Sequence, residues 1–536
     1  MFADPIDEGL ARGWKVVDAS RQSGNVDLDA DVVIVGTGAG GGVTAEILSA
    51  AGLAVVMLEE GPLKSSRDFH MRESDAYPQL YQESAARKTL DKAVTLLQGR
   101  CVGGSTTVNW TSTFRTPSAT LAYWQREFGL EGLSDDQLRP WFEMMERRLS
   151  VAPWAVTPNA NNALLQRGAT RLGIATGVIR RNVRGCLNLG YCGMGCPTNA
   201  KQSMLVTTVP AALDRGATLV TRVRVERVVE RGGRIVQLEA VGLDAQGTRV
   251  GGAGLIVRAR HYVLAAGAVG SPAILLRSGV PDPWRRVGAR TFLHPTVVSA
   301  AIFSERVDGY AGAPQSLYSD HFLDTVPIDG PIGFKLEAAP LHPVLFGMTL
   351  PGFGTRHAEM MREFSRAQVA LALLRDGFHP ESSGGNVGLR RDGSPVLAYP
   401  LTAFVWDGVR RALLAIAEIQ FAAGAEKVYP VHEQAEGYTT WRSAQAGIAR
   451  LPLEPLLMRV VSAHVMGGCG MGADRRRGVV DVGGRYFGVE NLSVHDGSVF
   501  PTSLGANPQL SIYAIAARNA SLLAQDLTGR PAPAVA

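Results

Sequence analysis

Gly36-Thr37-Gly38-Ala39-Gly40-Gly41 is a G-x-G-x-x-G turn, a pattern whose chemistry is the cradling of phosphate by backbone N–H groups. Gly36 permits the tight bend, Gly38 lets the backbone approach a pyrophosphate, and Gly41 lets the next helix pack closely on the strand. Glu59 follows about 20 residues later, where a carboxylate can accept ribose hydroxyls. Two buried strands must position these groups. The apolar β-branched run Val32–Val35 enters the turn, and Ala54–Leu58 follows the helical stretch that the turn opens. The start of that helix contributes unpaired N–H groups and the positive end of its dipole. The spacing predicts a strand–turn–helix–strand unit for a dinucleotide.

A second small-residue block, Gly99-Arg100-Cys101-Val102-Gly103-Gly104-Ser105-Thr106-Thr107-Val108-Asn109-Trp110, also suits close approach of backbone to a ligand. Ala217–Gln237 alternates around a Gly-Gly pair and predicts a hairpin. His261–Leu264 predicts a strand, followed by Ala265-Ala266-Gly267-Ala268 and a helix from Ser271. Asp407–Ala423 and Ile512–Leu523 predict helices, residues 1–28 a polar lead-in, and 531–536 a frayed tail. Pieces suited to a nucleotide therefore stand at the start, middle and end of the chain, which implies a discontinuous domain with insertions.

Bulk properties narrow the class. A chain of 536 residues exceeds one compact core, and 46% hydrophobic with 19% charged residues describes a globular protein. The net charge of +5 is small for this length, and the one basic block is Arg475–Arg477, so no nucleic-acid partner is expected. The N-terminus has no apolar core of a secretion signal, and no stretch is long enough to span a bilayer. A cytoplasmic protein is expected, with peripheral attachment to a membrane left open. Five cysteines, an odd number, argue against a disulfide framework. Cys186, Cys192 and Cys196 form C-x5-C-x3-C-P, a spacing that could ligate an iron–sulfur centre. Buried, unligated thiols are the preferred reading, and no metal is assigned.

Four blocks in fixed order resemble the glucose–methanol–choline (GMC) oxidoreductases: GTGAGG, GRCVGGSTTVN, AAGAVGSPAILLRSG, and HVMGGCGMG with DGSVFP and NP near the end. The resemblance covers about Asp31 to Leu527. It implies an α/β fold: a discontinuous Rossmann-like FAD-binding domain (28–118, 203–283 and 455–530) and an α+β substrate-binding domain built on an antiparallel sheet (119–202 and 284–454). It implies FAD as cofactor. Gly36, Gly38, Gly41 and Glu59 would hold the ADP half, with the Val225 backbone at the adenine. Gly103, Gly104 and Asn109 would line the pyrophosphate and flavin, Asp496 and Gly497 the diphosphate and ribityl side, and Pro508 the isoalloxazine. Family members with a covalent flavin carry histidine where this chain has Val108, so noncovalent FAD is implied.

Alcohol oxidation by a flavin needs a base near the hydroxyl and a second group holding its oxygen. By family position His464 is the candidate base and Asn507 its partner on the same oxygen. His495 and His294 are read as structural. His464-x-x-Gly467-Gly468 and Asn507-Pro508 are similar to the cholesterol oxidases and long-chain alcohol oxidases. The expected function is oxidation of a largely apolar or long-chain alcohol to an aldehyde or ketone, with oxygen or another electron acceptor. Two alternatives stand beside it: a lyase or decarboxylase of the same fold without net flavin reduction, and a flavin/iron–sulfur electron-transfer subunit.

Overall fold

The computed structural model describes residues 4–535. Its first sheet has eight strands, in the order Lys15–Asp18, Thr218–Thr221, Val55–Glu59, Val26–Val35, Val250–Leu264, Arg234–Leu243 and Val223–Arg231, with Leu492–Val494 beside Val250–Leu264. The pairs from Lys15–Asp18 through to Val250–Leu264 are parallel, and the hairpin at Gly232-Gly233 adds antiparallel strands at one edge. A parallel sheet is covered on both faces, which explains the unbroken apolar run Val32–Val35. Val32, Val33 and Ile34 are fully buried, and the helices Ala39–Ala50 and Gln509–Thr528 pack on each other beside them. Strands distant in sequence thus meet in one sheet.

Gly41 shows how tightly helix and strand are joined. A Cβ there would lie 2.0 Å from the Gly36 carbonyl oxygen and 3.1 Å from the Ala265 Cβ. Backbone cannot yield to that overlap, so Gly41→Ala should cost about 3 kcal/mol. A lowered denaturant midpoint at unchanged slope would register it, and an unchanged midpoint would contradict the packing.

A second eight-stranded sheet runs Val94–Leu96, Val460–Ser462, Thr296–Ile302, Ala367–Leu374, Phe334–Ala338, Leu317–Ser319 and Gly177–Val178, with Lys427–Pro430 also paired to Thr296–Ile302. Its central pairs are antiparallel. Period-2 alternation divides its residues between two cores. Val297, Ala301, Ala370, Ala372 and Leu374 pack in the core that contains the helix Ala403–Ala422. Val298, Ala300, Val369, Leu371 and Leu373 face the other way, toward Leu341, Phe346 and Leu350. That second face forms the wall of the site.

Two expectations need correction, and the polar lead-in carries elements of its own. The lead-in is structured: Asp4 caps the helix Pro5–Ala11 by accepting from Ile6 and Asp7 N–H, and Lys15–Asp18 joins the main sheet. Val32–Val35 is only the buried end of a strand that begins at Val26, where Val26, Leu28 and Ala30 alternate with aspartates. The mid-chain helix begins at Gly267, not Ser271.

Candidate active site

A cavity of about 880 Å³ runs from the glycine turn, past His464 and Asn507, to the apolar face of the second sheet. At the glycine end it is lined by Gly36, Gly38, Ala39, Gly40 and Glu59. Gly36 sits at φ +96°, a left-handed conformation that suits glycine. A Cβ built on Gly38 would meet nothing nearer than the Gly104 Cα at 3.8 Å, so space lies open above the helix start. That start has no side-chain cap. Glu59 closes the end of its strand: Oε2 accepts from Thr37 N (3.0 Å) and Oγ1 (2.6 Å), and Oε1 from Gly61 N (2.9 Å). Burial pushes its carboxyl pKa up, and these three bonds oppose that.

Val225 lies on the cavity wall, its carbonyl held by Arg277 Nη2 at 2.9 Å. Asp496 and Gly497 line it too. Asp496 Oδ1 accepts from Ser498 N (2.8 Å), and its Oδ2 from Gly267 N (2.9 Å) and Ser271 Oγ (2.5 Å). Gly104, Val108, Asn109 and Pro508 face the same space. Gly41 and Gly103 do not. Gly41 is taken up by helix–strand packing, and Gly103 N donates to Thr37 Oγ1 at 3.0 Å, tying the two glycine loops together. The residues present fit an FAD: an uncapped helix start with clear space above it, a fixed carboxylate beyond, and an elongated cleft between.

His464 and Asn507 both line this cavity. The imidazole opens on the cavity, yet it lies deep in the protein, and burial lowers its pKa to about 4. It is therefore neutral at neutral pH. His464 Nδ1 lies 3.1 Å from His294 Nδ1. Asn507 Nδ2 is 3.5 Å from Glu337 Oε2, and Asn507 Oδ1 has no protein partner among the described residues. Glu337 is fully buried on Phe334–Ala338, accepts from Gln315 Nε2, and burial pushes it up to about 7.

Beyond them Val298, Ala300, Val369, Leu371 and Leu373 line the cavity on one side, with Leu345, Phe346 and Leu350 opposite. Gln509, Glu337 and the role of His294 were not found from sequence. Gln509 Oε1 accepts from Asn109 Nδ2 at 2.7 Å while its Nε2 donates to the Ser112 carbonyl at 2.7 Å. Its position next to Asn507-Pro508 was the one available signal. His495 packs, with Nδ1 3.0 Å from Thr44 Oγ1.

The cysteines Cys186, Cys192 and Cys196 are free thiols. Asn188 N donates to Cys186 Sγ, Arg181 Nη2 lies 3.5 Å from Cys192 Sγ, and Cys196 Sγ is 3.5 Å from Thr198 Oγ1. Among the described residues no group of three or more His, Cys, Asp or Glu could hold a metal ion. No helix among them is long and apolar enough to cross a membrane.

A parallel sheet, a glycine-turn cleft and a second sheet beyond it together define an architecture suited to a dinucleotide cofactor. Two family models, both described as GMC oxidoreductase, match residues 77–296 and 380–516, and the chain belongs to that family as an FAD-dependent oxidoreductase. It is 31% identical to an uncharacterized GMC-type oxidoreductase of Sinorhizobium fredii, over 92% of this chain and 94% of that one. It is 28% identical to a long-chain-alcohol oxidase of Arabidopsis thaliana, over 96% of this chain and 72% of that one. Among solved structures, pyridoxine 4-oxidase from Mesorbium loti has the same fold (TM-score 0.67, 20% identity, 91% of this chain and 98% of that one). Formate oxidase from Aspergillus oryzae does too (TM-score 0.70, 16% identity, 94% and 100%).

Proposed function

We propose that the protein oxidises a largely apolar, long-chain alcohol to its aldehyde or ketone, using noncovalent FAD. One observation carries this reading: His464 and Asn507 line the same cavity as the glycine turn and the apolar face of the second sheet. A hydroxyl group needs polar partners, and the carbon chain behind it needs a wall without them. His464 and Asn507 would hold the oxygen, while Val298, Leu371, Leu373 and Phe346 would enclose the chain. The relatives named long-chain-alcohol oxidases support the same substrate class. Gly36, Gly38, Glu59 and Val225 would hold the ADP half of FAD, Asp496 and Gly497 the diphosphate side, and Asn109 and Pro508 the flavin side. Bound there, FAD supplies the acceptor for the hydride that leaves the carbinol carbon. Val108 occupies the position at which a covalent flavin would need a nucleophilic side chain, and it offers none.

Profiling primary and secondary alcohols of increasing length, with oxygen and a dye acceptor in parallel, tests substrate and acceptor together. Activity confined to short polar alcohols would overturn the chamber's assignment. Leu371→Trp should lower kcat/KM for the longest substrates about 10-fold and spare shorter ones. A uniform loss across all lengths would contradict it.

A further inference from the structure

The helix Pro343–Thr349 is apolar on two sides at once. Leu345, Phe346, Thr349 and the following Leu350 line the cavity, while Val344 and Met348, one turn apart, are exposed. Residues 350–353 lead to a second helix, Gly354–Arg362, and Phe353 at the turn is 91% exposed. Residues 338–355 include no Asp, Glu, Lys or Arg, and burial lowers the pKa of His342 among them. The cover is pinned from outside the stretch. Glu73 Oε2 accepts from Val344 N at 2.6 Å and its Oε1 from Leu345 N at 2.7 Å. Glu433 Oε2 accepts from Gly352 N at 3.0 Å, and Arg356 Nη2 donates to the Ala435 carbonyl. His357 Nε2 lies 2.9 Å from the Gly347 carbonyl oxygen and joins the two helices. Turning Val344, Met348 and Phe353 inward would break these bonds, so their exposure is built into the fold. Patches of this kind mark interaction sites.

The exposed charges beside the cover are mostly basic. Arg72, next to Glu73, and Arg356 and Arg362 on the second helix are exposed. Of the acids nearby, Glu363 pairs with Arg366, Glu433 with Arg459 and Asp75 with His70, which leaves Glu359 exposed. We propose that the helix pair 343–362 docks on an anionic phospholipid surface. Val344, Met348 and Phe353 enter the acyl boundary, and Arg72, Arg356 and Arg362 meet the lipid phosphates. A helix of 7 residues is too short to cross a bilayer but long enough to lie on one. Three separate apolar side chains define no groove for a protein partner, whereas a fluid acyl layer takes any shape. Once docked, a single helix separates the lipid from the apolar chamber that its inner side lines. That an alcohol dissolved in the membrane enters past this helix rests on the proposed substrate; the docking itself does not.

Co-sedimentation of the FAD-loaded enzyme with phosphatidylcholine vesicles, with and without phosphatidylglycerol, tests this. Wild type is expected to pellet with the phosphatidylglycerol vesicles, and added salt to weaken the binding. The double variant Met348→Asp, Phe353→Asp should raise the vesicle dissociation constant about 10-fold or more. Arg362→Gln should raise it about 5-fold, on the anionic vesicles alone. All three side chains are exposed, so flavin content and circular dichroism should match wild type. Wild type that stays in solution with either vesicle, or a double variant that binds as well as wild type, would overturn the proposal. So would a wild-type dimer that Phe353→Asp splits, since the patch would then be a contact between copies of the chain. An enzyme that binds vesicles as expected but oxidises no alcohol would refute the proposed function and leave the docking standing.

Discussion

His464→Ala should slow flavin reduction by alcohol about 10²-fold or more while FAD remains bound. The loss corresponds to about 2.7 kcal/mol of transition-state stabilisation. The size follows from the setting: His464 meets the cavity from a deeply buried position, so a hydrogen bond to an oxygen gaining negative charge is not diluted by solvent. FAD should stay because its proposed contacts at Gly38, Glu59, Val225 and Asp496 lie elsewhere along the cleft. Rapid-mixing anaerobic reduction, with flavin content measured on the same sample, separates the two effects. Reduction at the wild-type rate would remove His464 from the reaction.

Gly38→Val should yield a folded protein that holds less than about a tenth of its FAD. The backbone at Gly38 has a negative φ of −69° with ψ −159°, at the edge of the extended region, and the position of its Cβ is sterically clear. The substitution is therefore not expected to disturb the fold. Its side chain would instead fill the space above the uncapped helix start, where the pyrophosphate is proposed to sit. Circular dichroism should match wild type while the visible flavin band disappears. A yellow, fully loaded Gly38→Val protein would place the cofactor elsewhere. Gly41→Ala offers the contrast, since its Cβ meets backbone rather than cofactor space.

Much of the cofactor half was legible in sequence because its physics is local. A glycine turn needs particular residues at particular steps, and the flanking strands are continuous apolar runs because they are buried on both faces. The first half of Val26–Val35 escaped notice although Val-Asp-Leu-Asp-Ala-Asp alternates at a strand's period. Lys15–Asp18 was unreadable for a different reason: its partner Thr218–Thr221 lies some two hundred residues away, and four residues carry too little pattern alone. The long strand Val250–Leu264 was hidden by the glycines near its start.

The substrate half was legible only in its two motif residues. His464 and Asn507 were found by family position, but what each presents to a ligand depends on groups from other segments. His464 Nδ1 meets His294 Nδ1, whose own ring is held by the Leu504 and Gly505 amides. Glu337 stands in an ordinary strand, FKLEA, and nothing in that string marks it as a carboxyl buried beneath Asn507. Glycines 41 and 103 differ from each other. Gly41 packs helix against strand, as its motif position implies, while Gly103, placed by the resemblance at the cofactor, ties its loop to Thr37.

The central claim is that an alcohol with its oxygen at His464 and Asn507, and its chain against the second sheet, reduces the flavin. Anaerobic titration of the holoenzyme with alcohols of increasing chain length, followed in the visible flavin band, measures this directly. Full bleaching by a long-chain alcohol, with one equivalent of aldehyde or ketone formed per flavin, is predicted. A flavin that stays oxidised with every alcohol offered would contradict the account.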